Sequence, residues 1–194
     1  MLARALLARA AAQGQALRVV CPDVVGRGDS DWLKEPMGYQ FPTYVGDMLT
    51  LLGTLAQQAP IGQLDWVGTS MGGLIGLMLA GAPDVPLPLP MRRLVLNDVG
   101  PVIEWQALQR IGQYLGKSGP FESVEAGAAR LRELAPGFGP HTDAQWLALS
   151  RPMLRPAPQG GWRLHYDPAI AVPYAAVTEE SSAQGEALLW QLYD

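Results

Sequence analysis

The stretch Gly68-Thr69-Ser70-Met71-Gly72 predicts more about this protein than any other part of its sequence. The preceding Leu64-Asp65-Trp66-Val67 is typical of a short apolar strand, and the following residues 73–80 are typical of a buried helix. A G-x-S-x-G pattern between a strand and a helix places its serine on a sharp turn, where the hydroxyl can attack a carbonyl carbon. Glycines are expected at positions 68 and 72 because such a turn leaves no room for side chains.

Size and composition limit the classes of protein that this sequence can encode. The chain has 194 residues, 48% hydrophobic and 16% charged, which predicts one globular domain or one domain with an insertion. The net charge is -4 and no stripe of lysine and arginine residues is present, so nucleic acid is not an expected partner. The longest apolar run, residues 71–80, is too short to span a membrane. The single cysteine, Cys21, allows no internal disulfide, and we predict a cytoplasmic location.

Strand and helix patterns alternate over the first hundred residues. Leu17–Cys21 is predicted to be a buried strand, and the Gly/Asp/Ser-rich residues 23–31 to be the turn after it. Apolar residues recur at helical spacing over 45–56, and Arg93–Asn97 is predicted to be a third strand after the Ser70 turn. This alternation predicts a parallel sheet covered by helices. The Ala-rich N-terminus predicts an amphipathic helix at the sheet edge, with three leucines on its buried side: Leu2, Leu6 and Leu7.

The strand patterns stop after residue 101, and helical spacing takes over. Two apolar periodicities cover 108–115 and 124–135, Thr142 to Gln145 forms a capping box, and 185–193 is predicted to be a last short helix. We therefore divide the chain into residues 1–100, the sheet-bearing core, and residues 101–194, a mainly helical cap.

Three segments in the same order resemble the α/β-hydrolase superfamily: Val19–Asp31, Asp65–Gly73 and Leu94–Pro101. The resemblance implies an α/β fold, namely part of a parallel sheet with flanking helices and a helical cap insertion. In that family a serine attacks an acyl carbon, a histidine takes its proton, and an acid orients the histidine. Carried over to this sequence, Ser70 is the nucleophile, and the backbone N–H of Met71 is one donor to the oxyanion.

Other parts of the family pattern have no match in this sequence. A second oxyanion donor usually comes from a loop beginning His-Gly, and no His-Gly pair occurs here. The family's acid and histidine usually follow later strands, whereas this chain ends at Leu192-Tyr193-Asp194. The sequence therefore predicts a truncated hydrolase, whose exposed sheet edges favour self-association.

Within the chain, three residues are candidates to complete the site. Asp98 ends a strand at the sheet edge where catalytic residues lie in this fold, so it is a candidate acid. Its alternative role is to form a hydrogen bond with the backbone at the start of the cap. His165 is a candidate base because a lid can fold over the serine, whereas His141 lies in a loop before a helix. Local hydrogen bonding is the alternative role of both histidines.

The resemblance implies a serine hydrolase that cleaves an ester, thioester or related acyl bond in a small, mostly apolar substrate, without a metal or organic cofactor. Three alternatives stay open: a carbon–carbon bond hydrolase built from the same parts, an inactive fragment that binds acyl ligands or a partner chain, and adhesion through Arg27-Gly28-Asp29. A dinucleotide-binding loop is not expected at Gly26, because no helix follows at once.

Overall fold

The computed structural model describes residues 2–193, which form helices around a small parallel sheet and a separate hairpin. In chain order, the elements are α1 (Leu2–Ala12), α2 (Phe41–Gln58), β1 (Leu64–Thr69), α3 (Met71–Gly81), β2 (Met91–Asn97), α4 (Trp105–Gly112), α5 (Val124–Leu134), α6 (Asp143–Ser150), β3 (Leu154–Pro156), β4 (Trp162–Leu164), α7 (Ala171–Ala175) and α8 (Glu179–Tyr193). Four single 3-10 turns lie among them, at residues 36–38, 136–138, 151–153 and 168–170. The fold class is α/β, as predicted.

The unit β1-α3-β2 positions the Ser70 turn. The two strands run parallel, with Gly68 opposite Leu96 and Thr69 opposite Asn97. Helix α3 lies so close to them that a Cβ on Gly76 would be 2.5 Å from the Trp66 ring. A glycine at this position therefore lets the helix approach the sheet.

Helix α3 carries apolar residues on all its sides, and helices α2 and α8 cover two of those sides. On one side Ile75 and Leu79 pack with Tyr44 and Met48 of α2. On another side Leu74 and Leu77 pack with Leu189 of α8. A helix that is hydrophobic all round is expected at the centre of a core, and α3 lies there.

The second half of the chain has a smaller core of its own. Val124 of α5 packs against Leu154 and Leu164, which lie on the antiparallel strands β3 and β4. The predicted capping box at the start of α6 is confirmed, since Thr142 and Gln145 bond each other's backbone. The division at residue 100 stays a prediction, and the structure adds that α8 packs on α3.

Two predictions about the N-terminal residues are wrong. Leu17–Cys21 forms no strand, and Leu17 is 47% exposed, because no strand among residues 2–193 runs beside it to accept its backbone hydrogen bonds. Helix α1 forms as predicted, but Leu2, Leu6 and Leu7 are exposed, and Ala10 is its buried residue. The apolar pattern predicted that these leucines would be buried, but no segment of the described structure covers them.

Two predictions about the second half also need correction. The segment after residue 101 contains the β3–β4 hairpin, whose three-residue strands are too short to give an alternating pattern. The last helix begins at Glu179, ahead of the predicted Gly185, because its first turns are polar and carry no apolar periodicity.

Candidate active site

Ser70 lies at the turn between β1 and α3, with its backbone in a strained conformation. Its φ of 50° and ψ of -121° fall in a region that non-glycine residues seldom adopt, which costs on the order of 1–3 kcal/mol. Its N–H donates to the carbonyl of Asn97 at 3.0 Å, and its own carbonyl accepts from the N–H of Gly73 at 2.8 Å. Ser70 is exposed and its side chain does not cap the helix, so the role of its hydroxyl as nucleophile stays a prediction.

The two glycines beside Ser70 have different roles. A Cβ on Gly68 would lie 2.2 Å from the carbonyl oxygen of Gly72, so the prediction of a crowded turn is confirmed there. A Cβ on Gly72 would meet nothing within 4 Å, so the same prediction for Gly72 is wrong. Gly72 lies in the first turn of α3, where its α-carbon faces open space rather than the strand.

Met71 is the first residue of α3. The N–H groups of a helix's first turn have no acceptor within the helix, and they carry the positive end of its dipole. The Met71 N–H is therefore available to a developing oxyanion beside Ser70, and its role as donor stays a prediction.

Asp98 lies at the same edge of the sheet as Ser70. It follows Asn97, whose carbonyl accepts from the Ser70 N–H and whose side-chain amide donates to Thr69 Oγ1 at 3.1 Å. Asp98 is exposed and has a φ of 56°, so two neighbouring strands both end in strained polar residues. The structure thus brings Ser70 and Asp98 to adjoining positions, and the acid role of Asp98 stays a prediction.

The two histidines lie elsewhere. His165 is mostly buried, and its Nε2 lies 3.4 Å from Asp29 Oδ1. Its backbone bonds Met153 and Gly28, which joins the hairpin to the loop at 23–31. His141 Nδ1 lies 3.1 Å from the Gly139 carbonyl, at the rim of an open cavity of about 600 Å³ beside α6. Both histidines therefore have local partners, and the role of His165 as base stays a prediction.

Sequence reasoning missed a polar network that joins the first half of the chain to the second. The Tyr39 hydroxyl donates to Asp167 Oδ2 at 2.5 Å and accepts from the Leu33 N–H at 2.8 Å. Burial and the bond to Asp167 raise the pKa of Tyr39 to about 12. The partners lie 128 positions apart, so no local pattern could reveal them.

The loop at 23–31 is held in a similar way against the segment that follows β4. The Asp167 N–H donates to the Gly26 carbonyl at 2.8 Å, and Arg27 forms a β-bridge with Tyr166. Arg27 Nη1 is buried. Arg27 as a whole is half-buried and the Asp29 side chain is exposed, so adhesion through Arg27-Gly28-Asp29 stays a hypothesis.

Among residues 2–193, no helix has the length and apolar character needed to cross a membrane. The same residues bring together no group of three or more histidine, cysteine or acidic side chains that could hold a metal ion.

Comparison with known proteins agrees with this architecture. The family model described as "Alpha/beta hydrolase family" matches residues 2–191. The 3-hydroxybutyrate-oligomer hydrolase of Cupriavidus necator is 48% identical over 181 residues, which cover 91% of this chain and 59% of that protein. The chain thus spans less than two thirds of the length of this relative.

Two solved structures show the same relationship. The alpha/beta hydrolase from Novosphingobium aromaticivorans is 31% identical with a TM-score of 0.70, and the match covers 96% of this chain and 65% of that one. The E-2-(acetamidomethylene)succinate hydrolase is 25% identical with a TM-score of 0.66, over 87% of this chain and 56% of that one.

Proposed function

Because the chain belongs to the alpha/beta hydrolase family, we propose that it is a serine hydrolase that cleaves ester bonds through an acyl-enzyme at Ser70. The observation that carries this proposal is the exposed Ser70 side chain, held at a φ of 50° at the start of α3. In the proposed reaction, Ser70 Oγ bonds to the acyl carbon and gives its proton to a general base. The alcohol leaves with a proton, and water then releases the acid.

The substrate we propose is a short oligoester of a hydroxy acid. The relative at 48% identity is named for the hydrolysis of 3-hydroxybutyrate oligomers, whose repeating bond is an ester between small, mostly apolar units. This supports an ester over a thioester or a carbon–carbon bond as the target. A cytoplasmic site of action remains a prediction from the single cysteine.

The residues that assist Ser70 are assigned by position. The Met71 N–H would bind the oxyanion, and Asp98 would serve as the acid at the same sheet edge. His165 would serve as the base, and its Nε2 lies 3.4 Å from Asp29 Oδ1.

A second function is an acyl-binding protein without turnover. The observation that favours it is the position of His165, whose side chain lies 3.4 Å from Asp29 and whose backbone bonds Gly28 and Met153. An imidazole held this way leaves Ser70 without a proton acceptor.

Labelling with a fluorophosphonate probe tests the proposal. We expect the probe to label the wild-type chain and the Ser182→Ala control but not Ser70→Ala, and we expect the wild type to hydrolyse the dimer of 3-hydroxybutyrate. Labelling of Ser70 without hydrolysis would favour the acyl-binding function. Absence of labelling in a chain shown by circular dichroism to be folded would contradict an acyl-enzyme at Ser70.

A further inference from the structure

Trp66 lies on β1, the strand that leads to Ser70, and its indole ring is turned towards α3. The indole Nε1–H donates a hydrogen bond to the carbonyl oxygen of Gly72 at 2.9 Å. The ring is partly buried in the hydrophobic cluster that includes Ile75 and Leu79. A side chain of the strand therefore binds the backbone of the first turn of the helix, beside the Ser70 turn.

The first turn of α3 has little stability of its own. Met71 is followed by Gly72 and Gly73, and glycine favours a helix less than any residue except proline. The Ser70 side chain makes no capping hydrogen bond to this turn. The orientation of the turn therefore depends on bonds from outside the helix, and the Trp66 indole supplies one of them.

Gly76, one turn further along α3, leaves the space that the indole occupies. A Cβ at this position would lie 2.5 Å from Trp66 Cδ1 and 2.5 Å from Trp66 Nε1. The edge of the indole that carries the N–H therefore lies directly against the helix, where it reaches the Gly72 carbonyl. A side chain at position 76 would push that edge away.

The bond from Trp66 begins a chain of hydrogen bonds through two peptide groups. The Gly72 carbonyl and the Gly73 N–H belong to one planar peptide group, and this N–H donates to the Ser70 carbonyl at 2.8 Å. The Ser70 carbonyl and the Met71 N–H belong to a second such group. Trp66 thus fixes the orientation of the first group, and the first group fixes the second. Hydrogen bonds in such a chain also polarise one another, which strengthens the last donor.

We propose that Trp66 is a positioning residue that aims the Met71 N–H at the oxyanion, an inference that rests on the proposed acyl-enzyme at Ser70. A donor of this kind acts most strongly when negative charge develops on the acyl oxygen, so its direction matters in the transition state. Trp66 therefore raises the rate of acylation and leaves the binding of substrate unchanged. Its effect on the rate comes from the indole N–H and not from the bulk of the ring.

Replacing Trp66 by 3-benzothienylalanine in the full chain tests this role, because a sulfur atom takes the place of the indole N–H while the bicyclic shape is kept. We expect the maximal rate of fluorophosphonate labelling to fall roughly three- to tenfold, the effect of one lost hydrogen bond, with the half-saturating probe concentration unchanged. Trp66→Phe, which also lacks the N–H, should show at least the same fall. An unchanged maximal rate, or a change confined to the half-saturating concentration, would overturn the proposal.

Trp190 provides the matched control. It lies on α8, which packs on the same helix α3, and it is 42% exposed. Both replacements at position 190 should leave the maximal labelling rate unchanged. An equal fall at positions 66 and 190 would show that the effect does not come from the bond to Gly72, and it would overturn the proposal.

Amide hydrogen exchange gives a readout that is independent of chemistry at Ser70. With the sulfur isostere at position 66, we expect the Gly73 N–H to exchange several-fold faster. The N–H of Leu164, which donates to Ser118 in the smaller core, should exchange as in the wild type. Unchanged exchange at Gly73, or equal acceleration at both amides, would contradict the proposal. If the wild type is not labelled, faster exchange at Gly73 alone still supports the positioning of the Met71 N–H, so failure of the acyl-enzyme remains a separate result.

Discussion

At the scale of single residues, the Ser70 turn depends on how close two backbone segments approach. The strained φ of Ser70 is held by hydrogen bonds to Asn97 and Gly73 and by the contact of Gly68 with the first turn of α3. Strain of this kind persists only where the surroundings fix it from several sides. The residue that bears this strain is also the proposed nucleophile.

The two glycines of the turn give a matched pair of variants. Gly68→Ala should lower the free energy of unfolding by roughly 1–3 kcal/mol and reduce probe labelling of Ser70, because the new Cβ meets backbone that must shift. Gly72→Ala should leave labelling unchanged and raise stability by up to about 1 kcal/mol, because alanine favours the helix and the space is open. Urea unfolding measures the first effect, and equal stabilities for the two variants would contradict this account.

At the scale of elements, the buried pair Tyr39–Asp167 joins the segment before α2 to the segment before α7. Asp167 also accepts from the Ala169 N–H at 2.9 Å, so its carboxylate fixes the turn that leads into α7. A charged acceptor in a buried position needs such donors, because an unpaired carboxylate there strongly disfavours the folded state.

The stability of the protein should fall as pH rises from 10 towards 12. Burial and the bond to Asp167 raise the pKa of Tyr39 from its ordinary value of 10.0 to about 12 in the folded state, so the unfolded chain loses this proton first. The stabilisation is therefore complete below pH 10 and is lost as pH rises through 12, at roughly 1.4 kcal/mol per pH unit for each such group. Tyr174, with a pKa also raised to about 12 by burial, adds to the slope.

Tyr39→Phe identifies the source of this dependence. At neutral pH it should cost about 1–3 kcal/mol, because it leaves Asp167 and the Leu33 N–H without their partner. Above pH 10 its stability should fall less steeply than that of the wild type, while the exposed Tyr193→Phe should match the wild type throughout. Parallel slopes for wild type and Tyr39→Phe would show that Tyr39 does not control the alkaline transition.

At the scale of the whole molecule, the sheet leaves apolar surface uncovered. Within residues 2–193, β1 and β2 pair only with each other, so each has an edge without backbone partners. The cross-strand neighbours Val67 and Val95 are 50% and 48% exposed, on the face that α3 does not cover. Unpaired edges and an apolar face are the features through which strands associate.

We therefore expect the isolated chain to self-associate through this sheet. Light scattering after size exclusion should show a mass that rises with concentration, and replacing both Val67 and Val95 by threonine should lower it. Threonine keeps the branched shape that suits a strand while adding a hydroxyl. The same replacement at the exposed Val102 and Val172 serves as control. A monomeric mass at all concentrations would rule out this association.

Local patterns predicted the parts of the fold that depend on neighbours in sequence. The Ser70 turn, the helical periodicity of α2 and the capping box of α6 each need residues only a few positions apart, and the structure has all three. The Leu17–Cys21 strand and the buried leucines of α1 required a distant partner, and the described structure contains none beside them. The pair of Tyr39 and Asp167 could not be predicted for the same reason, because the two residues lie 128 positions apart.

Short-range sequence patterns are enough to place a serine between a strand and a buried helix, because turn geometry and periodicity are properties of a short segment. Contacts between distant segments determine that Asp98 adjoins Ser70, that His165 lies near Asp29 and that Tyr39 bonds Asp167. Burial and pairing are set by whichever segments the folded chain brings together, and no local pattern records them.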